Sequence, residues 1–218
     1  VVVVDHSACN IRESVHDACV RVDRRRVRGS LVIEVVRSLR SWMRSTDSSS
    51  IAGLDAADHA LLAAAELDPA AWYPYPQYLR LIDASFERSC ASDWAQLHEL
   101  CARGVVGICE QGYAPLLDRG ALGPALTAVS LLWRASYDFG YAIADTDPCG
   151  TTISVTDCPD IGALAGNINA GWCLGLTRRI GAVVERIELR RRPWAGEGDE
   201  QVIRLHWAER AVPALDLC

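Results

Sequence analysis

The groups in this sequence that could do chemistry are nine cysteines, five histidines and a run of aspartates. Cys9, Cys19, Cys90, Cys101, Cys109, Cys149, Cys158, Cys173 and Cys218 contain no Cys-x-x-Cys pair, so neither a zinc ribbon nor a dithiol redox motif is present. Thiols scattered in this way read as reduced, and Cys101 and Cys109 read as small buried hydrophobes near one helix face. His6, His16, His59, His98 and His206 lack ligand-spaced partners. His59, within a helical stretch, is the candidate for an iron ligand, but a lone helical histidine is ordinarily a surface or satisfied residue. Asp138, Asp145, Asp147, Asp157 and Asp160 gather near strand ends without the fixed order of a calcium loop, and aspartates belong in turns and caps. No Gly-x-Ser-x-Gly, Walker or dinucleotide glycine pattern occurs. The residues therefore predict no catalytic constellation, no metal site and no cofactor, and they give no support to an enzyme.

An antiparallel sheet with one long inserted helix, from Phe139 to Trp207, would position these groups. Four segments alternate with the period of two that a half-buried strand requires, placing Tyr141 and Ile143, Ile153 and Val155, Ile187 and Leu189, and Ile203, Leu205 and Trp207 on the apolar face. Asp147 to Gly150 and Trp194 to Asp199 have hairpin chemistry. Between the hairpins, Ile161, Leu164, Ile168, Trp172, Leu176 and Ile180 repeat every three or four residues and predict a helix lying on the sheet. Gly162, Gly166, Gly171 and Gly175 point to close helix-to-sheet packing. Asn167, Asn169, Arg178 and Arg179 interrupt any apolar run of the ~20 residues that a membrane span needs.

The preceding half reads as helices: one from Ser30, one from Asp55 to Leu67, one from Pro76 to Ser89, one from Asp93 to Cys109 and one from Pro124 to Ser136. Pro69, Pro74 and Pro76 enforce a bend filled by Trp72, Tyr73 and Tyr75. The expected fold is α+β, an N-terminal helical subdomain packed on a C-terminal four-stranded antiparallel sheet in ββαββ order with one long crossover helix. Residues 1–27 are expected to be a poorly ordered leader, or one strand and a linker, with 28–210 a single domain and 211–218 a tail. A net charge of -6 over 218 residues argues against nucleic-acid binding, and the arginine runs 21–28 and 186–192 read as solvated flanks. No signal peptide is visible, so a cytoplasmic location is expected.

Several short motifs then occur in a familiar order. Arg28-Gly29-Ser30-Leu31, Trp72-Tyr73-Pro74, Leu132-Trp133-Arg134-x-x-Tyr137-Asp138-x-Gly140, Gly171-Trp172, and Gly198-Asp199 before a strand ending in Trp207 resemble bacterial proteins of the DUF2378 type. That family is similar to the 4-vinyl reductase (V4R) and haem–nitric-oxide-binding superfamily. The resemblance, over residues 28–207, implies an apolar cavity between helices and sheet, with Trp72, Tyr73, Trp133, Tyr137 and Trp172 as its ligand-binding candidates. V4R relatives often carry cysteines around the last hairpin, where this chain has Arg192 or Trp194 and Gln201 or Val202, so no thiol or metal role carries over. The Tyr-x-Ser-x-Arg arrangement of the haem-binding members is absent from the sequence. The function expected is a non-catalytic sensor that binds a small apolar molecule. The alternative is a protein-interaction or homodimerisation module without ligand, and a weaker alternative is a V4R-like activity on a tetrapyrrole.

Overall fold

The computed structural model describes residues 24–108, 122–158, 162–179 and 181–207. Strand β1 (Arg26–Arg28) pairs antiparallel with β2 (Trp72–Pro74), setting Val27 opposite Tyr73. Val27 is fully buried and also bridges to Tyr137. The segment expected to be a leader therefore ends in a structural strand. Its arginines seal the seam: Arg26 binds Asp138 through its backbone N–H and its guanidinium, and Arg28 Nε donates to Ala135 O.

Helix α1 (Gly29–Thr46) buries Leu31, Val32, Val35, Val36 and Leu39 along one stripe. It starts on a glycine because a Cβ at position 29 would run into the Asp68 carbonyl. Helix α2 (Ala56–Ala63) is shorter than the alanine-rich pattern predicted. Asp55 and Asp58 form a reciprocal capping box at its start, each carboxylate accepting from the other residue's N–H. Helix α3 (Tyr75–Ser89) carries Pro76 in its first turn, where the missing N–H costs nothing, and buries Tyr75, Tyr78, Leu81 and Ile82. Helices α4 (Trp94–Ile108) and α5 (Leu122–Ser136) complete the helical half.

Strands β3 (Tyr141–Asp147), β4 (Gly150–Thr156), β5 (Val184–Arg191) and β6 (Gln201–Trp207) form an antiparallel sheet in the order β3-β4-β6-β5. Helix α6 (Ala163–Arg179) links β4 to β5, so the chain is α+β with a ββαββ sheet, as the periodicities predict. Ile153, Val155, Ile203 and Leu205 face the core. On β3 the faces are the reverse of the expected ones. Ala142 is buried, whereas Tyr141 and Ile143 are 45% and 54% exposed. Their alternating partners are alanines, so either face of β3 is apolar, and the one with small residues lies beneath α5, which packs on this strand. Ser130 Oγ of α5 donates to Ala142 O.

Helix α6 is buried on all sides from Ala165 to Thr177. Its glycines make closer approaches to a helix than to the sheet. A Cβ at Gly171 would lie 2.8 Å from the backbone of His98, and one at Gly175 would lie 2.5 Å from Ala102 O, both on α4. Gly166 instead faces the Trp194 ring, from the turn joining β5 to β6. Ile161 and Ile180, expected on the helix's apolar face, lie outside the described residues.

Candidate functional site

The last turn of α5, the first turns of α3 and the middle of α6 meet in a buried group of aromatic rings. Tyr137 stacks obliquely on Trp133 at 4.5 Å between centroids, and Trp133 meets Trp172 edge to face at 6.5 Å. Tyr75 lies edge-on to Tyr137 at 6.1 Å, and its ring is 4.7 Å from Phe139 and 6.2 Å from Tyr78. Such offset and T-shaped pairs are the arrangements that ring quadrupoles favour. Trp133 Nε1 donates to Phe139 O at 2.9 Å, which fixes the turn from α5 into β3. That turn passes through Gly140 at φ 61°, where a side chain would also strike Cys158 Sγ.

Three of the five candidates named from the sequence thus come together: Trp133, Tyr137 and Trp172. Trp72 and Tyr73 make no ring contact with that group among the described residues. Trp72 lies instead under the Arg28 guanidinium at 4.1 Å and near Arg26 at 5.7 Å, half-buried on β2. Tyr75, Tyr78 and Phe139 also belong to the ring group and are not among the five candidates. The three-residue spacing of Tyr75 and Tyr78 at a helix start was the signal that could have found them.

Burial sets the electrostatics of this junction. It raises the phenols of Tyr75, Tyr78 and Tyr137 above their usual value, and Tyr78 and Tyr137 share a hydrogen bond. It also pushes the thiols of Cys101, Cys158 and Cys173 up to about 12. All remain protonated at neutral pH, so none of the three is an activated nucleophile. Arg25 is the charged side chain here, its guanidinium 5.5 Å from the Tyr75 ring and 5.3 Å from Phe139. The junction's phenols and thiols therefore supply no general base.

The other tempting groups are engaged elsewhere. His59 accepts from the Ile51 N–H and lies 2.8 Å from Asp55 O. His98 bonds Asn167 at 3.0 Å across the α4–α6 contact, and His206 bonds Glu188 at 2.9 Å on the outer sheet face. Asp138 pairs with Arg26 and Asp147 with Arg204, while Asp160 lies outside the described residues. The second arginine run is spent on Glu188, Glu197 and Glu200. Among the described residues no cluster of three or more His, Cys, Asp or Glu could hold a metal, and no helix is long and apolar enough to cross a membrane. Two surface grooves lie away from the junction. One, of about 350 Å³, runs between α1 and Ala65–Leu67, and the other, of about 320 Å³, lies beside Cys90 and Arg103.

No family model matches the chain, and no curated protein matches it. Solved structures do. The chain is similar to a Cs H-NOX variant carrying 4-cyano-L-phenylalanine, at 11% identity and a TM-score of 0.55 over 83% of this chain and 96% of that one. An oxygen-binding H-NOX domain related to soluble guanylate cyclases matches at 10% identity and 0.53 over 86% and 97%. An H-NOX variant from T. tengcongensis matches at 12% and 0.53 over 83% and 97%. At such identities the likeness establishes a shared fold. The DUF2378, V4R and haem–nitric-oxide-binding resemblance itself rests on motif order.

The expectation of no cofactor is corrected by the solved structures of this fold, two further ones of which are described through their haem. The described residues do not present a ready iron ligand: His59 and His206 have their ring nitrogens bonded as above, and His98 is wedged where Gly171 meets α4. The junction's thiols and phenols are protonated and packed among rings.

Proposed function

We propose that this protein is a non-catalytic sensing module that takes up a small apolar molecule where the helices meet the sheet, with Trp133, Tyr137 and Trp172 as its lining. The observation that carries this reading is the H-NOX-like fold, matched over more than four-fifths of the chain. The aromatic junction supports it, because an apolar ligand gains by leaving water for a junction whose phenols and thiols are neutral. Trp72 and Tyr73, half-buried on β2, would border that site rather than line it. Denaturing extraction of freshly purified protein followed by mass spectrometry, together with a haemin titration followed by visible absorption, tests the reading. A co-purifying apolar molecule or a saturable Soret band is expected. Protein that yields no extract and leaves the haemin spectrum unchanged would overturn it.

A second reading is favoured by Tyr141 and Ile143, which stand outward on the unpaired edge of β3. Such an edge suits addition of a partner strand, so a homodimer or a protein partner would dock there. Light scattering on wild type and Ile143→Asp separates the readings, since a dimer that the substitution disperses belongs to this one alone.

A further inference from the structure

Along α6 the buried amide and hydroxyl side chains are satisfied within the protein, and the Trp172 indole is not. Asn167 donates to Ala163 O and accepts from His98, Asn169 donates to Gln201, Thr177 donates to Cys173 O, and Gln201 in turn donates to Gly166 O. The other fully buried tryptophans are satisfied too, Trp133 by Phe139 O and Trp207 by Pro148 O. Trp172 is the exception. Its indole is 3% exposed and its Nε1 has no acceptor. A buried donor left unpaired bears its whole desolvation cost, and phenylalanine would fill most of the same space without it. The unpaired N–H belongs to the ring that meets Trp133 edge to face, at the proposed site rather than at a distance from it.

The chemistry around it selects the kind of acceptor. Burial keeps the phenols and thiols protonated, and the Arg25 guanidinium lies over the Tyr75 and Phe139 rings rather than the Trp172 ring, so an anion entering beside Trp172 would find no compensating charge from them. We propose that Trp172 Nε1–H donates to a neutral small molecule bearing one hydrogen-bond acceptor, of the ketone or ester class, taken up against the Trp133 ring. This rests on the ligand-binding reading above and adds the ligand's chemical class.

The experiment compares tetralone, tetralin and tetralin carboxylate, matched in ring size and differing in the acceptor and its charge. The probes are titrated into nitrogen-15-labelled protein while the tryptophan indole N–H resonances are followed, Trp172 being assigned by its loss in Trp172→Phe. Tetralone is expected to move the Trp172 resonance downfield and to bind about fivefold more tightly than tetralin, the scale of one net hydrogen bond. That preference should vanish in Trp172→Phe, whose melting temperature should equal or exceed that of wild type because an unpaired donor has been removed. Equal binding of tetralone and tetralin with an unmoved Trp172 resonance would overturn the inference while leaving the ligand-binding reading intact. Tightest binding by the carboxylate would also overturn it. If no probe moves any junction resonance at millimolar concentration, the ligand reading falls and takes the inference with it. Should Trp172→Phe not fold, the resonance in wild-type protein still decides.

Discussion

The α4–α6 contact and the β5–β6 hairpin both hold polar side chains in pairs, and they use them differently. Around α6 the backbone approaches α4 so closely at Gly171 and Gly175 that no side chain fits; His98–Asn167 is part-buried there and Asn169–Gln201, on the β6 side of the helix, is fully buried, while Arg178–Glu99 stands at the surface. Along the hairpin, Arg191–Glu200 and Arg192–Glu197 pair at the surface, the latter with side chains 47% and 35% exposed. Water competes for every donor in the second region and for few in the first. The same kind of bond therefore matters to stability in one place and hardly at all in the other.

The contrast can be broken most directly at Gly175. A Cβ there would sit 2.5 Å from Ala102 O and 2.7 Å from Ala102 Cα, both immovable backbone atoms. Gly175→Ala should cost ~3 kcal/mol in a denaturant titration, the upper end for overpacking a core. A loss below ~1 kcal/mol, the size of an ordinary surface substitution, would mean that the helices part easily.

The Asp58–Arg80 pair stands between the two regimes, because the carboxylate is fully buried and the guanidinium 39% exposed. Asp58→Ala removes the pair and half of the α2 capping box, and should cost ~2 kcal/mol. Burial pushes the Asp58 carboxyl up, but Arg80 and the Asp55 N–H together hold it below its ordinary 3.8. Its folded value is depressed, so the stability it adds is complete above the unfolded carboxylate's value of ~4 and is lost as the pH falls through the folded one. The gap between wild type and variant should therefore close in acid, and a gap that persists to the lowest pH would remove the pair from the account.

His98 sharpens the comparison from the buried side. Burial lowers its pKa below 6.5, against the opposing bond to Asn167 and the nearby Glu99 and Asp93. The folded state prefers the neutral ring, so stability is full above ~6.5 and declines as the pH falls from there toward the folded value. An NMR titration of the ring should give a midpoint below 6.5, and His98→Gln should flatten the stability profile over that range. A midpoint at or above the free value would place the ring in solvent. The smallest effect belongs to the hairpin, where Glu197→Gln should leave the melting temperature unmoved even though it breaks the 2.6 Å pair with Arg192.

The helical half was legible because its stripes are long: Leu31, Val35 and Leu39 can face only one way. Strand β3 was not. In Tyr141-Ala142-Ile143-Ala144 every residue is apolar, so a period of two gives no direction, and packing under α5 decided it. The β1–β2 pair escaped for another reason, being three residues long and joining positions 44 to 48 apart in sequence, from Arg28 with Trp72 to Arg26 with Pro74. The ring group was half legible. Trp133, Tyr137 and Trp172 stood out as large residues on core-facing helices, but the partners that Tyr75 and Tyr78 find arise from the folding of α3 against α5, which no local pattern encodes. The satisfaction of hydrogen bonds, which leaves the Trp172 indole unpaired along with Thr156 Oγ1 and Arg204 Nε, exists only in three dimensions.

The glycine-lined approach of α6 to α4 carries a mechanical consequence. Two helices that touch backbone to backbone lack interlocking knobs at that point, so little there resists sliding along the common axis. What sets the axial position is a few polar pins: His98 to Asn167, Glu99 to Arg178, and on the sheet side Asn169 to Gln201. Two of these tie α6 to the helical half and one ties it to β6. A displacement of the sheet thus reaches α4 as a push along a rail, delivered through amide and guanidinium tips.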